Sequence, residues 1–380
     1  MLINPEDFYY ILKNNQIDFF TGVPDSLLKD FCFFVDDKLS KDKHIIAANE
    51  GNAIAIAAGY HLSTNRVPLV YMQNSGLGNS VNPLLSLCDT EVYSIPMLLM
   101  IGWRGEPGVK DEPQHLKQGE IQLDLLKAMK IPYEIISGET VEYEKMLAKL
   151  ISNSKKNNRP VALVVKKGTF IKHQKTKKSD TEHLMYREQA LELILNNLGQ
   201  SDIVISTTGK TSREIFEIRK KDKKPHNQDF LTVGSMGHCS SIALGIALSK
   251  KDKKIVCIDG DGSMLMHMGG LATIASYKPK NYKYIILNNK VHESVGGQST
   301  AAKEIELSNI IRALGFKNVY KVSNQIDLGK SIKNIMNKND LSFVEVLIRP
   351  GSRSDLGRPT IKPVDNKKAF MNFVKNNFDS

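Results

Sequence analysis

The sequence predicts an α/β protein built from two tandem open, mainly parallel sheets with helices on both faces. Three observations carry that prediction. Short apolar runs alternate with helix-length segments over residues 5–170 and again over 187–348, the pattern of parallel strands joined by crossover helices. A lysine-rich polar stretch, KKGTFIKHQKTKKSDTEHLMYRE, separates the two series and holds few side chains that could join a core. Finally, an apolar run ends in Asp259-Gly260-Asp261-Gly262-Ser263, and a second ends in Asn288-Asn289 after a helix-length segment. Polar residues at the carboxyl ends of such strands mark the edge where open α/β sheets bind ligands. The expected organisation is a first domain over 1–171, a linker over 172–185 and a second domain over 186–380.

In chain order, Pro5–Lys13 reads as a helix, Asp18–Phe20 as a strand, Pro24–Phe34 as a helix with proline in its first turn, and His44–Ala47 as a strand. Glu50–Leu62 is an alanine-rich helix, Leu69–Met72 a strand, and a Gly/Asn-rich turn leads to a helix ending near Leu87. The strand Met97–Ile101, a helical Asp124–Met129, Tyr133–Ile136, Val141–Lys155 and the strand Val161–Val165 close the first series. The second opens with a helix from Arg187 to Leu198, the strand Ile203–Ser206 and a helix from Ser212, then a loop over Phe230–Gly237 and the helix Ser240–Leu248. After the two motif strands come the helix Leu307–Leu314, the strand Val319–Val322, the helix Asp327–Met336 and the strand Phe343–Ile348. No internal sequence repeat is strong enough to indicate duplication.

Composition narrows the function classes. With 380 residues, 41% hydrophobic and 24% charged, the chain can bury two ordinary cores. Neither a signal-like amino terminus nor an apolar run near the roughly 18 residues of a membrane span is present, so a soluble cytoplasmic protein without a membrane partner is expected. The four cysteines are scattered in apolar or helical context, which fits buried free thiols and no zinc site. The net charge of +11 comes largely from lysine runs at 166–178, 219–224 and 250–254, in which Phe170 is the one Phe, Trp or Tyr. A solvated basic surface explains them without a nucleic-acid partner, and it would also draw in a small polyanion.

The motif strands carry the chemistry. If Ile255–Ile258 and Tyr284–Leu287 are neighbouring parallel strands, Asp261 and Asn289 emerge side by side at one edge. A carboxylate and a carboxamide are hard oxygen ligands suited to Mg²⁺, which completes its shell with phosphate oxygens and water. Gly260 and Gly262 let backbone approach a diphosphate, and the helix opening near Ser263 favours its charge. Two tempting alternatives fail. Ser206–Thr211 contains GKT, but a P-loop needs glycine five positions before the Gly-Lys pair, where Val204 stands. Gly76-Leu77-Gly78 lacks the third glycine of a dinucleotide fingerprint.

A GDG followed some 25 residues later by Asn-Asn resembles the diphosphate and magnesium motif of the thiamine diphosphate (ThDP) enzymes. The resemblance implies Asp261 and Asn289 as side-chain ligands and the Val291 carbonyl as a third. The spacing is one residue longer than in several relatives, an insertion placed in the Lys278–Tyr282 loop, which leaves Asn288 as the alternative to Asn289. Glu50, in AANEGNAIAIAAGYHL, taken alone is a carboxylate compensating a helix N-terminus; the resemblance makes it the glutamate that hydrogen-bonds the aminopyrimidine ring. In FLTVGSMGHCSSIALGIAL it implies that the Gly234 carbonyl accepts from the 4′-amino group and that Met236 props the cofactor.

Within this family the chain is similar to the phosphonopyruvate decarboxylases through TGVPDSLLK, the Glu50 helix, NSGLGN, GWRGEPG with DEPQH, GSMGH, GDGS through NN, HESVGGQ and LGRPT. That implies a pyrimidine-binding domain followed by a diphosphate-binding domain, ThDP and Mg²⁺ as cofactors, and a homodimer or higher homo-oligomer with active sites between subunits. The implied reaction is non-oxidative decarboxylation of 3-phosphonopyruvate to phosphonoacetaldehyde and CO₂, within phosphonate biosynthesis of the 2-aminoethylphosphonate type. Residues 74–119 read as polar loops in which His115 and Asp111 are the candidates for proton handling. Donors for the phosphonate are sought among Arg104, Lys110, His292 and Gln298, with the glycine turn of His292–Thr300 as an anion nest. A sulfopyruvate decarboxylase is the enzymatic alternative, and a non-catalytic nucleotide-binding protein the alternative of another class.

Overall fold

A computed structural model describes residues 2–173 and 183–376 of the chain. The expected linker over 172–185 therefore lies largely outside the described residues. The chain divides into two compact units, Met1–Lys178 with Ser294–Gln298, and Ser179–Glu293 with Ser299–Ser380.

The first unit runs α1 (Pro5–Asn14), β1 (Phe20–Gly22), α2 (Lys29–Lys38), β2 (His44–Ile46), α3 (Glu50–Thr64), β3 (Leu69–Gln73), α4 (Leu77–Ser86), β4 (Met97–Gly102), α5 (Pro113–Ala128), β5 (Tyr133–Ile136), α6 (Tyr143–Asn157) and β6 (Pro160–Val165). Its sheet is parallel throughout, in the order β2-β1-β3-β4-β6-β5. Side chains alternate across it. Along β4, Leu98 and Met100 enter one core with Phe8, Leu12 and Phe31, whereas Met97, Leu99 and Ile101 enter another with Ile54, Ala57 and Leu84. Burial on both faces is why β4 reads as an unbroken apolar run.

The second unit runs α7 (Arg187–Asn196), β7 (Ile203–Ser206), α8 (Lys210–Lys221), β8 (Asp229–Leu231), α9 (Cys239–Ser249), β9 (Ile255–Gly260), α10 (Asp261–Met266), α11 (Gly269–Tyr277), β10 (Tyr282–Asn288), α12 (Leu307–Ala313), β11 (Asn318–Val322), α13 (Gln325–Asn337), β12 (Ser342–Leu347) and α14 (Pro363–Asn376). Its sheet is also parallel, in the order β8-β7-β9-β10-β12-β11. Numbered from its own first strand, this is the order of the first sheet. The two units thus share one topology although no repeat is visible in the residues. In each, the strand order reverses beside the first strand, between β1 and β3 and between β7 and β9, the position where open α/β sheets hold ligands.

Four local expectations give way. Pro24 does not open a helix: the Asp25 carboxylate accepts the N–H of Leu27 at 2.9 Å, a side-chain-capped turn that delays α2 to Lys29. DEPQH is not a loop, because Pro113 is the first residue of the long helix α5, a position where its missing N–H is harmless. The segment from Phe230 begins in a short strand, β8, which pairs with β7. The crossover between β9 and β10 is two short helices, and α14 had no counterpart in the sequence reading. The four cysteines are buried and free. Among the described residues no helix is long and apolar enough to cross a membrane.

Strand β8 leads into the glycine loop after it and, besides its pairing with β7, is tied to α8 by a buried ion pair. Arg219 of α8 donates twice to the fully buried Asp229, from Nε and from Nη2, at 2.9 Å each. Replacing Asp229 with alanine leaves a buried guanidinium without its carboxylate, and urea unfolding should register a loss of about 3–5 kcal/mol. A loss below about 1 kcal/mol, the range of an exposed pair, would show that the pair does not anchor β8.

Candidate active site

In the second unit the carboxyl ends of β7, β8, β9 and β10 converge. Asp261 is the first residue of α10, directly after β9, and is 2% exposed. Its carboxylate accepts from the Thr300 hydroxyl at 2.5 Å. Burial pushes its carboxyl up to about 6, against the opposing hydrogen bonds from Thr300 and from the N–H groups of Asn289 and Gly262. Thr300 reaches it because the chain folds back after β10: Val291 bridges Ser299 in antiparallel fashion, and Thr300 N–H donates to the Lys290 carbonyl.

The register of β9 and β10, with Leu287 opposite Gly260, brings Asn289 to Asp261 as the motif predicts. The two asparagines diverge in role. Asn288 is buried and donates from Nδ2 to Glu345 at 2.8 Å. Asn289 lies one residue beyond the strand, with Nδ2 on Glu293 at 2.8 Å and Oδ1 accepting from Val291 N–H at 3.1 Å. The Val291 carbonyl accepts from Glu293 N–H at 3.0 Å.

The glycines differ as well. A side chain at Gly260 would point into open space, so no protein neighbour demands glycine there and a ligand has room. At Gly262 an added carbon would lie 3.2–3.3 Å from His292 and Thr300, a close approach within the protein itself. Ser263 ties three loops together, accepting from Thr207 Oγ1 at 3.0 Å and from Gly237 N–H at 2.9 Å. Gly234 and Met236 are half-buried in the loop between β8 and α9. Thr208 donates to the Val233 carbonyl in that same loop.

In the first unit Glu50 opens α3, behind Asn49, whose side chain caps the helix through Gly51 N–H at 2.7 Å. Glu50 is 5% exposed, and its Oε2 accepts from Asn79 Nδ2 at 2.7 Å. A carbon added to Gly76 would fall 2.5–2.7 Å from the Glu50 side chain. The NSGLGN stretch, read from sequence only as a polar loop, therefore supplies both the hydrogen bond and the space that fix this carboxylate.

The residues sought for proton handling are arranged differently from one another. The Asp111 carboxylate accepts from Arg104 Nε at 2.8 Å, from Arg104 Nη2, and from the N–H groups of Gly105 and Glu112. Burial opposes its ionisation, but the Arg104 and Gly105 bonds outweigh that and hold its carboxyl below the usual range. Arg104 also donates to Ser26 at 2.9 Å, linking the GWRGEPG and GVPDS loops. His115, in the first turn of α5, keeps a buried Nδ1 without a hydrogen-bond partner. Burial, with the nearby Arg104 charge, pushes it down to about 4, so it is a neutral imidazole at pH 7. Lys110 is exposed, whereas His292 and Gln298 are buried. One residue that the motifs did not single out is Asp25, fully buried at the switch point, accepting from Gln73 at 2.7 Å and raised by burial. An aspartate just after a strand, in GVPDS, was the signal that could have found it.

Residues 5–128 match the family described as thiamine pyrophosphate enzyme, N-terminal TPP binding domain, and residues 207–346 match its C-terminal TPP binding domain. The chain is 33% identical to a phosphonopyruvate decarboxylase of Streptomyces hygroscopicus, covering 98% of this chain and 94% of that protein. It is 33% identical to the phosphonopyruvate decarboxylase of Streptomyces viridochromogenes, covering 87% and 85%. A sulfopyruvate decarboxylase of Methanosarcina acetivorans is 29% identical, covering 97% of each chain. Two matching domains and near full-length identity above 30% establish the membership that the two strand edges describe: the chain belongs to the thiamine pyrophosphate enzyme family and is a thiamine pyrophosphate-dependent decarboxylase.

Proposed function

We propose that the chain decarboxylates 3-phosphonopyruvate to phosphonoacetaldehyde and CO₂, with ThDP anchored through Mg²⁺, as a step in phosphonate biosynthesis. The observation that carries the reading is the pair of buried carboxylates, Glu50 and Asp261, each at the carboxyl edge of a sheet of the same strand order. The two phosphonopyruvate decarboxylases that match over nearly the whole chain support the substrate. When bound, ThDP supplies the carbon nucleophile and electron sink that a 2-oxoacid needs to release CO₂.

The residues divide the remaining work. Asp261 and Asn289, with the Val291 carbonyl, bind Mg²⁺. A buried carboxylate whose pKa is raised and whose neighbours are a hydroxyl and backbone N–H groups fits a divalent cation, which would favour its charged form. Gly260, Gly262 and Ser263 line the diphosphate path, while Gly234 and Met236 receive the ring system. Glu50 would hydrogen-bond the cofactor's aminopyrimidine ring, and the unit of α1–β6 is accordingly the pyrimidine domain. Neutral His115 is an acceptor or donor without charge near the substrate, and Asp111 serves by fixing Arg104. A second reading, sulfopyruvate decarboxylation, is favoured by the full-length match to such an enzyme.

Uncharged helix faces support a homodimer or higher homo-oligomer. Solvent-facing positions of α3 are Asn52, Ala55, Gly59, Leu62, Ser63 and Thr64, and those of α9 are Ser241, Gly245, Leu248 and Ser249. None of these positions is charged, which in a chain of 24% charged residues marks surfaces suited to burial.

Rates on phosphonopyruvate, sulfopyruvate and pyruvate, with and without ThDP and Mg²⁺, should favour phosphonopyruvate at least about tenfold in kcat/KM, and a preference for sulfopyruvate overturns the substrate assignment. Glu50→Gln should abolish turnover while ThDP binding and the unfolding midpoint persist; near-parental activity would sink its role. Gly76→Ala, which displaces the Glu50 carboxylate, should lower kcat about 100-fold with little change in stability. Gly245→Glu should shift the chain toward monomer in sedimentation velocity, whereas an unchanged assembly would remove α9 from the interface.

A further inference from the structure

The side chain of Asn289 poses a chemical problem. A carboxamide is nearly symmetric in shape, yet only its oxygen can ligate a cation, and only the hydrogen-bond partners decide which end faces where. Val291 N–H donates to Oδ1 at 3.1 Å, and Glu293 provides the side-chain partner at the other end. Its Oε2 accepts from Asn289 Nδ2 at 2.8 Å, and a carboxylate, which can only accept, admits the amide nitrogen and refuses the oxygen.

Glu293 is itself held firmly. Arg187 Nη1 donates to its Oε2 at 2.8 Å, and Lys210 Nζ donates to its Oε1 at 2.8 Å. Arg187 is in turn clamped on Glu214, with Nε and Nη2 at 2.7 and 2.9 Å from its two oxygens. Arg187, Glu214 and Glu293 are all largely buried, at 6%, 1% and 11% side-chain exposure. The two cations balance the two carboxylates, so the cluster offers a neighbouring divalent ion no uncompensated charge. Glu293 is thereby withheld as a competing ligand, and Lys210, the lysine of the GKT triplet, has a use unrelated to a P-loop.

We propose that Glu293 is a positioning residue, fixed by Arg187 and Lys210, that turns the carboxamide of Asn289 so that Oδ1 faces the cation. This rests on the reading of Asp261 and Asn289 as the Mg²⁺ ligands. The role is that of an outer hydrogen-bond partner whose loss weakens metal binding through the ligand it orients.

The test titrates Mg²⁺ into the full-length protein saturated with ThDP, followed by isothermal calorimetry, with the unfolding midpoint measured in parallel without metal. Glu293→Ala should weaken Mg²⁺ binding about 10–100-fold. Adding the same change to Asn289→Ala should then weaken binding by less than about twofold, because the orienting bond is already gone. If Glu293→Ala does not fold, Glu293→Met, which keeps much of the volume and offers no oxygen acceptor, carries the test: a loss of about threefold or more supports positioning and a smaller one overturns it. If Asn289→Ala weakens binding while Glu293→Ala leaves it unchanged, the proposal falls and the ligand reading stands. Full additivity of the two changes also overturns it, since Glu293 would then act by another route. If Asn289→Ala binds Mg²⁺ like the parent, the ligand reading itself fails and the proposal with it.

Discussion

Burial of the Asp261 carboxylate is the constraint around which the second sheet is arranged. Removing a carboxylate from water is costly unless hydrogen bonds or a cation compensate it. Here the compensation is assembled from distant parts of the chain: the Thr300 hydroxyl, the N–H of Asn289 beyond the adjacent strand, and the N–H of Gly262 at the start of α10. Each contributor requires a particular backbone path. The parallel register of β9 and β10 delivers Asn289, and the fold-back that pairs Val291 with Ser299 delivers Thr300. Glycine at position 262 keeps His292 and Thr300 within reach. The N–H groups still leave the carboxyl with a raised pKa, which is the electrostatic condition that a divalent cation would relieve.

The first sheet solves a parallel problem by simpler means. Glu50 sits at a helix start, where the macrodipole favours its charge, and Asn79 and the bare Cα of Gly76 determine where the carboxylate lies. A second buried carboxylate of this unit, Asp25, is held by Gln73 and by the turn that delays α2. The loop after β4 is built on a further ion pair, Arg104 with Asp111, so two charged residues of that loop are engaged with each other. His115 remains neutral beside that guanidinium, as burial demands.

Both units use one strand order, and the polar residues gather at the same place in each, on either side of the first strand. Topology therefore decides where chemistry can sit, and side chains decide which chemistry it is. In the second unit the cluster of Arg187, Lys210, Glu214 and Glu293 extends the site outward by linking α7 and α8 to the turn after β10. In that cluster Arg187 and Lys210, from two different helices, meet on one carboxylate, Glu293.

By itself the sequence determined the fold class, the strands at the core of both sheets, and the convergence of Asp261 with Asn289. Those features follow from long apolar runs, which both-sided burial imposes, and from glycine and asparagine at strand ends, which local chemistry imposes. Tertiary structure alone decided the rest. Strand β8 was hidden because it is three residues long and its first side chain is an ion-paired aspartate. The division between Asn288 and Asn289 depended on Glu345 and Glu293, partners 57 and 4 residues away. The supports of Glu50 lay in another helix, and those of Glu293 in two others. Such pairings are set by which chain segments pack together, a property that periodicity along one segment does not encode.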